Sequence, residues 1–451
     1  MRFAEIYRML ENYFFLALII VVVFALVFII LRKSNHSLQI SKLLIYCLLI
    51  GYLIMVIGVT FLNRGNESFG GINLTPFSSY KEAWYQFDVR HFQFVILNIC
   101  MFIPLGILLP FVHRSFRRIY WTLGAGLLCT LFIESFQLIT KFGMFELDDI
   151  FNNVLGTLIG YCIVMMIVSL KEKKVKSFFA YISPILVVIL SFVSMLVVYE
   201  MKEFGNLNFR PIHKTDLSKS EITYLMDVRE QRAKATVYKA PNYSKSQADQ
   251  FVEQFLDAPV SDMEIIRYDR ETVYWLHGEP GYNIWFDHLD GSYNYSDFSS
   301  FDEIQPIDGE IEKIEAQLVN MNILVPNEAT LEKRETGVYI WTVNQEQKDH
   351  HLLDGTLQIT YYEDDTIKDV NNQLVTYEKV KDVDIKSEQD ALDELLKGNF
   401  AYDSMNTSIN TIEIQEISLR YYLDTKGFYQ PVYEFTSIIN GEQRIIRMPA
   451  L

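Results

Sequence analysis

The residues best suited to chemistry stand at the head of one long apolar run, in Phe145-Glu146-Leu147-Asp148-Asp149-Ile150-Phe151-Asn152-Asn153-Val154-Leu155-Gly156. Three carboxylates and two carboxamides entering a membrane helix are costly unless neighbouring groups satisfy them, so they mark a candidate site. Asp149, Asn153, Gly156 and Gly160 fall at i, i+4, i+7 and i+11 and share one helix face. Its polar upper part would meet a partner helix or a water-filled cleft. Its lower part, Gly156-x-x-x-Gly160, is a spacing of small residues that lets another backbone approach closely. Neighbouring runs add Asn98 and Glu134, with Gln137 three residues after the glutamate. Carboxylates and amide oxygens suit Mg²⁺ or Ca²⁺, but no spacing is as specific as an EF-hand loop, so no metal and no cofactor is assigned. No nucleophile-and-base pair, Walker loop, His-Glu-x-x-His or Gly-x-Ser-x-Gly pattern occurs. The reading is an outward pocket for a polar or phosphate-bearing headgroup. Two alternatives stand beside it: an intramembrane enzyme using these carboxylates on a lipid-linked envelope precursor, and a structural polar network between helices.

Six apolar runs are long enough to cross a bilayer, near 13–31, 43–62, 92–112, 119–140, 148–170 and 177–199. The first lacks small-residue cleavage chemistry and reads as an uncleaved anchor, preceded by a short interfacial helix. Ten basic residues (Arg32, Lys33, Lys42; Arg114, Arg117, Arg118; Lys171, Lys173, Lys174, Lys176) crowd alternate short loops, which are therefore expected on the cytoplasmic side. Both termini are then outside. In that orientation Asn98, Glu134 and Asn153 share one depth, roughly 8–9 Å beneath the outer surface at ~1.5 Å per residue. The loop between the second and third runs supplies Asn73 and Pro76. Pro104, flanked by Phe102 and Gly106, removes a backbone donor and is expected to disturb the third helix.

Composition changes sharply near residue 200. Residues 1–199 hold 16 Lys/Arg and 10 Asp/Glu, whereas 200–451 hold 24 and 46, so a net charge of +6 gives way to −22. A membrane domain joined to an acidic water-soluble domain follows. The acidic half excludes nucleic acid, whose binding needs phosphate-neutralising Lys and Arg. All four cysteines, Cys47, Cys100, Cys129 and Cys162, lie in the apolar runs, so the soluble part must fold by core burial alone. A disulfide-free ectodomain suits a Gram-positive surface protein.

Residues 200–243 read as a linker. Beyond them one pattern recurs three times, a helix followed by strands: helices at 246–256, 308–321 and 387–396, with Asp290-Gly291 and Asn440-Gly441 as hairpin turns. Ser387 with Asp390 is a capping-type helix start. The expected fold is thus an α-helical polytopic membrane domain of about six transmembrane helices, followed by an extracellular α+β domain of repeated helix-plus-antiparallel-strand modules. Its parts are an anchor helix and cytoplasmic loop (1–42), a central membrane domain (43–170), a sixth span (171–199), the linker, and an ectodomain (244–451) with modules at 244–305, 306–386 and 387–451. The aromatic set Tyr274, Trp275, Tyr282, Trp285 and Phe286 reads as sheet core, and His350-His351 as a polar loop.

Four motifs in order carry a family resemblance: Asn73-Leu74-Thr75-Pro76-Phe77; Asn98 with Phe102-Ile103-Pro104-Leu105-Gly106; Glu134-Ser135-Phe136-Gln137; and Asp148-Asp149 with Asn153 and Gly156. Together they resemble the VanZ-like membrane domain over about residues 43–170. The chain departs from that pattern at Lys141–Phe145, where an arginine is usual, and at Glu146, where an aspartate is. The resemblance implies an integral membrane protein of the envelope that alters susceptibility to teicoplanin-type glycopeptides, and the lack of a nucleophile-and-base pair makes a non-enzymatic role the expectation. Expected partners are membrane lipids, a lipid-linked cell-wall precursor or the glycopeptide itself, and another envelope protein through the ectodomain. The last module resembles YycH/YycI-type or PepSY-like regulatory ectodomains in its helix–strand order and a few aromatic positions, which implies binding or regulation without catalytic residues.

Overall fold

The computed structural model describes residues 40–62, 71–87, 89–268, 270–278, 281–299, 304–402 and 408–451. The chain divides into two compact units, Met1–Glu203 and Phe204–Leu451. The first apolar run and the interfacial helix before it lie outside the described residues.

In the first unit, α1 (Ile40–Ile57) runs on into a π-helical turn, and α2 (Ser78–Gln86) is short and amphipathic. Then come α3 (Val89–Val112), α4 (Ile119–Thr140), α5 (Leu147–Lys171) and α6 (Val175–Met201). Among the described residues, five helices are long and apolar enough to cross a membrane: all of these except α2. They correspond to the second to sixth apolar runs. This is the build of a multi-pass membrane domain.

The disturbance expected in the third helix does not form: α3 is continuous through both Pro104 and Pro110. Close packing on α5 explains why a missing donor is tolerated. A Cβ on Gly156 would lie 2.0 Å from the Ile99 carbonyl oxygen, and one on Gly106 2.1 Å from that of Thr157. The two backbones touch where these residues lack side chains, and carbonyls facing Cα–H groups gain weak hydrogen bonds there. Gly160 makes the same approach to the Ile103 carbonyl.

Two short strands, β1 (Gly71–Asn73) and β2 (Met144–Glu146), pair in parallel with Asn73 opposite Glu146. Lys141, in the left-handed region at φ 58°, ends α4 and turns the chain toward β2. This ladder joins the first sequence motif to the last.

The second unit is one sheet of fourteen strands carrying three helices, α7 (Lys245–Leu256), α8 (Ile311–Asn320) and α9 (Glu388–Leu396). The strands are β3 (Glu221–Tyr224), β4 (Ala233–Lys239), β5 (Glu264–Arg267), β6 (Glu271–Leu276), β7 (Tyr282–Asp287), β8 (Tyr293–Asp297), β9 (Thr330–Glu335), β10 (Val338–Lys348), β11 (His351–Tyr361), β12 (Ile367–Asn372), β13 (Val375–Ile385), β14 (Thr411–Leu423), β15 (Phe428–Ile439) and β16 (Glu442–Pro449). Their main path is β3-β14-β15-β4-β13-β11-β12-β8-β7-β6-β5, with β10 and β9 branching from β11 and β16 from β15. All pairings are antiparallel except β3 with β14. Capping boxes start α7 at Ser244/Gln247 and α9 at Ser387/Asp390, each satisfying orphan N–H groups. Asn440 and Gly441, both at positive φ, make the β15–β16 turn.

Two expectations need correction. Residues 200–243 are not simply a linker: β4 sits between β13 and β15, β3 pairs with β14, and the Gly205 N–H donates to Asp424 Oδ2 at 2.6 Å. Helix then strands does recur three times, but the cores ignore the expected module boundaries. Val252 of α7 and Ile314 and Leu318 of α8 share one core with Tyr274, Phe286, Trp341 and Ile359. Leu392 and Leu395 of α9 share another with Ala235 of β4, Ile414 and Phe435. Hydrogen bonding is continuous across the boundaries, through β8–β12 and β4–β13, so no segment closes a core alone.

Candidate functional site

The site is assembled where the 73–80 turn, α3 and α4 meet the head of α5. Asp148, the second residue of α5, is buried, and its carboxylate accepts four hydrogen bonds from one segment. The Phe77 N–H donates to Oδ1 at 2.6 Å. The Ser79 N–H and hydroxyl donate to Oδ2 at 2.8 and 2.7 Å, and the Ser78 hydroxyl at 3.2 Å. An anion on the first free N–H groups of α2 is a helix cap supplied from elsewhere in the chain. Asn73 completes the turn: its amide donates to Ser78 Oγ at 3.0 Å, and its Oδ1 accepts the Thr75 N–H at 3.1 Å. Asp148 and Asn73, expected to contact ligand, are engaged with the chain itself. Pro76 lies exposed on the same turn.

Deeper along α5 a polar layer joins this helix to α2, α3 and α4. Asn98 of α3 donates to Asp149 Oδ1 at 2.5 Å, and Tyr80 of α2 donates to Asn152 Oδ1 at 2.5 Å. Asn153 donates to the Thr130 hydroxyl of α4 at 2.9 Å. Glu134, one turn beyond Thr130 and only 2% exposed, accepts the Glu146 N–H at 3.1 Å. Gln137 is buried on the same helix. Within this layer Asn152 Nδ2 and Asn153 Oδ1 are shielded from solvent and find no partner among the described residues. The layer therefore combines a buried carboxylate, Glu134, with amide groups that retain hydrogen-bonding capacity. Such a set can recognise hydroxyl, amide or phosphate groups.

Sequence reasoning missed Ser78, Ser79, Tyr80 and Thr130. Thr130 had a usable signal, four residues before Glu134 on the same face. The serines had none, since only the long-range approach of Asp148 gives them a role. No group of three or more His, Cys, Asp or Glu side chains among the described residues could hold a metal ion. All four cysteines are free, with Cys47 and Cys162 buried.

Fold and site together define a multi-pass membrane protein with a polar layer near one end of its helices, bearing a β-rich domain without disulfides. Residues 13–168 match the family model described as VanZ/LLP1. The match begins earlier than the motifs alone indicate and takes in the first apolar run. No curated protein matches the chain. Among solved structures, the chain is similar to an uncharacterized protein from Eubacterium rectale ATCC 33656, at 14% identity and TM-score 0.26, covering 51% of this chain and 86% of that one. It is also similar to the Bacillus megaterium YpeB C-terminal domain, at 10% identity and TM-score 0.22, covering 46% and 93%.

Proposed function

We propose that this is a non-enzymatic protein of the bacterial cell envelope that engages an envelope ligand through the polar layer of α3, α4 and α5. Its effect is altered susceptibility to teicoplanin-type glycopeptides. Both termini and the acidic C-terminal unit stand outside the cell, an orientation supported by the alternation of basic loops. One observation carries the reading: Glu134 and Asn153 are each 2% exposed, and Asn153 keeps an acceptor atom without a donor among the described residues. A carboxylate within an apolar bundle is retained against a substantial cost, which supports use beyond packing. The VanZ/LLP1 match supports the envelope setting.

The test is complementation of a deletion strain, scored by susceptibility to teicoplanin, vancomycin and a lipopeptide. The chain carrying Glu134→Gln with Asp149→Asn should reach the membrane at normal level and fail to rescue. A chain ending after Met201 should rescue. If the double variant rescues as fully as the intact chain, the layer is structural and this reading is wrong.

A further inference from the structure

We infer that the face of the C-terminal sheet opposite α7 and α8 is a binding site for a glycan that is uncharged or amino-bearing. Alternation along β7, β8, β12 and β11 sends Ile284, Phe286, Tyr293, Val370, Leu357 and Ile359 into the core. It therefore turns Trp285, Asn294, Asn371 and Gln358 to the other face. Strand register sets these four in one row: Trp285 opposite Asn294, Asn294 opposite Asn371, and Asn371 opposite Gln358. An indole followed by three carboxamides thus crosses four strands. Trp285 belongs to this surface and not to the sheet core expected from sequence.

The row runs through a cleft of about 480 Å³, whose walls include Arg270, Asp287, Asp290, Asp354 and Tyr377. It continues into a smaller one of about 110 Å³ bearing Ser296, Thr360 and Asp369. The first is within the size range of small-ligand sites, about 300–1,000 Å³. At the junction, Asn371 Oδ1 is shielded and has no donor among the described residues. Sugar rings present hydroxyls that donate and accept in adjacent pairs, together with an apolar C–H face. Planar amides and carboxylates match the first, and an aromatic surface matches the second.

Charge narrows the ligand class. Four carboxylates, Glu271, Asp287, Asp290 and Asp354, line the cleft with a single guanidinium, that of Arg270, so phosphate-bearing polymers are repelled while amines are accommodated. The walls are also preorganised. Arg270 Nε pairs with Asp287 at 2.7 Å, Asp290 accepts the Ser292 N–H and hydroxyl at 2.9 and 2.6 Å, and Asp354 accepts the Tyr429 hydroxyl. Groups already fixed lose little freedom on binding.

The full chain in detergent should be titrated calorimetrically with three probes: an N-acetylglucosamine tetramer, its deacetylated counterpart, and a glycerol-phosphate oligomer. Both sugars should bind saturably and the phosphate oligomer should not. Trp285→Ala should weaken sugar binding by roughly tenfold through loss of the stacking surface. Gln358→Ala, a milder change on the same face, should weaken it severalfold and guards against loss of folding in the tryptophan variant. Absence of binding by either sugar, preference for the phosphate oligomer, or unchanged affinity in both variants would overturn the inference.

Discussion

Asp148 and Asp149 are adjacent and of one type, yet their surroundings give them different work. Asp148 meets two backbone N–H groups and two hydroxyls and so fixes the turn before α2. Asp149 meets the carboxamide of Asn98 and so ties α5 to α3. In the soluble unit Asp287 shows how environment also sets protonation. Burial first, then the neighbouring Asp290, push its carboxyl up to about 6, against the pull of Arg270 and the Leu289 N–H. The unfolded value is about 3.9, so the folded state holds this proton more tightly. The group therefore favours folding most below about pH 4, and that contribution is lost as pH rises toward 6, by at most about 3 kcal/mol. Asp287→Asn removes the titration. The variant's stability relative to wild type should climb between pH 4 and 6 and then level off, as read from urea titrations of the detergent-solubilised chain. A relative stability that stays flat or falls across that window would contradict the assignment.

At the scale of elements, α3 and α5 depend on backbone contact. Gly156 has no room for a methyl group against the Ile99 carbonyl, while a Cβ on Gly124 in α4 meets nothing within 4 Å. Gly156→Ala should therefore destabilise the membrane unit by about 1–3 kcal/mol, through overpacking that forces the helices apart. Gly124→Ala should be neutral or stabilising by up to about 1 kcal/mol, since alanine is the better helix former. Thermal melts in detergent compare them directly, and equal melting would mean that the two backbones do not touch. The Gly156-x-x-x-Gly160 face was legible because small residues at helical spacing have few other uses. The capping box at Ser387 and the Asn440-Gly441 turn were legible because their chemistry is local. β4 was not: only Ala235, Val237 and Tyr238 are buried in seven residues, and its charged neighbours resemble a linker. β1 and β2 are three residues each, too short to show alternation, and exist only because the first and last motifs meet. The expected disturbance at Pro104 failed because the sequence shows a missing donor but not the partner helix that holds α3 straight.

At the scale of the molecule, the decisive feature of the second unit is how its two large cores are joined. A smaller cluster lies between them, containing Tyr238, Leu352, Tyr377, Tyr421 and Tyr429. Tyr429 of β15 stacks on Tyr377 of β13 with ring centroids 4.1 Å apart, and its hydroxyl donates to Asp354 of β11. One side chain thus links strands from the α9 core to strands adjoining the α7–α8 core. With a continuous sheet as well, opening one core exposes edges and apolar surface of the other, so the unit should unfold cooperatively. Residues 204–451, expressed alone, should give one calorimetric transition with van't Hoff and calorimetric enthalpies in agreement. A fragment beginning at residue 244 lacks β3 and β4, leaves Ala235's place in the second core empty, and should not fold. In the longer fragment, Tyr429→Ala removes the link while leaving both helix-bearing cores intact, and should split the transition in two. Two transitions in the unaltered fragment would show that the two large cores are energetically independent and would overturn this account.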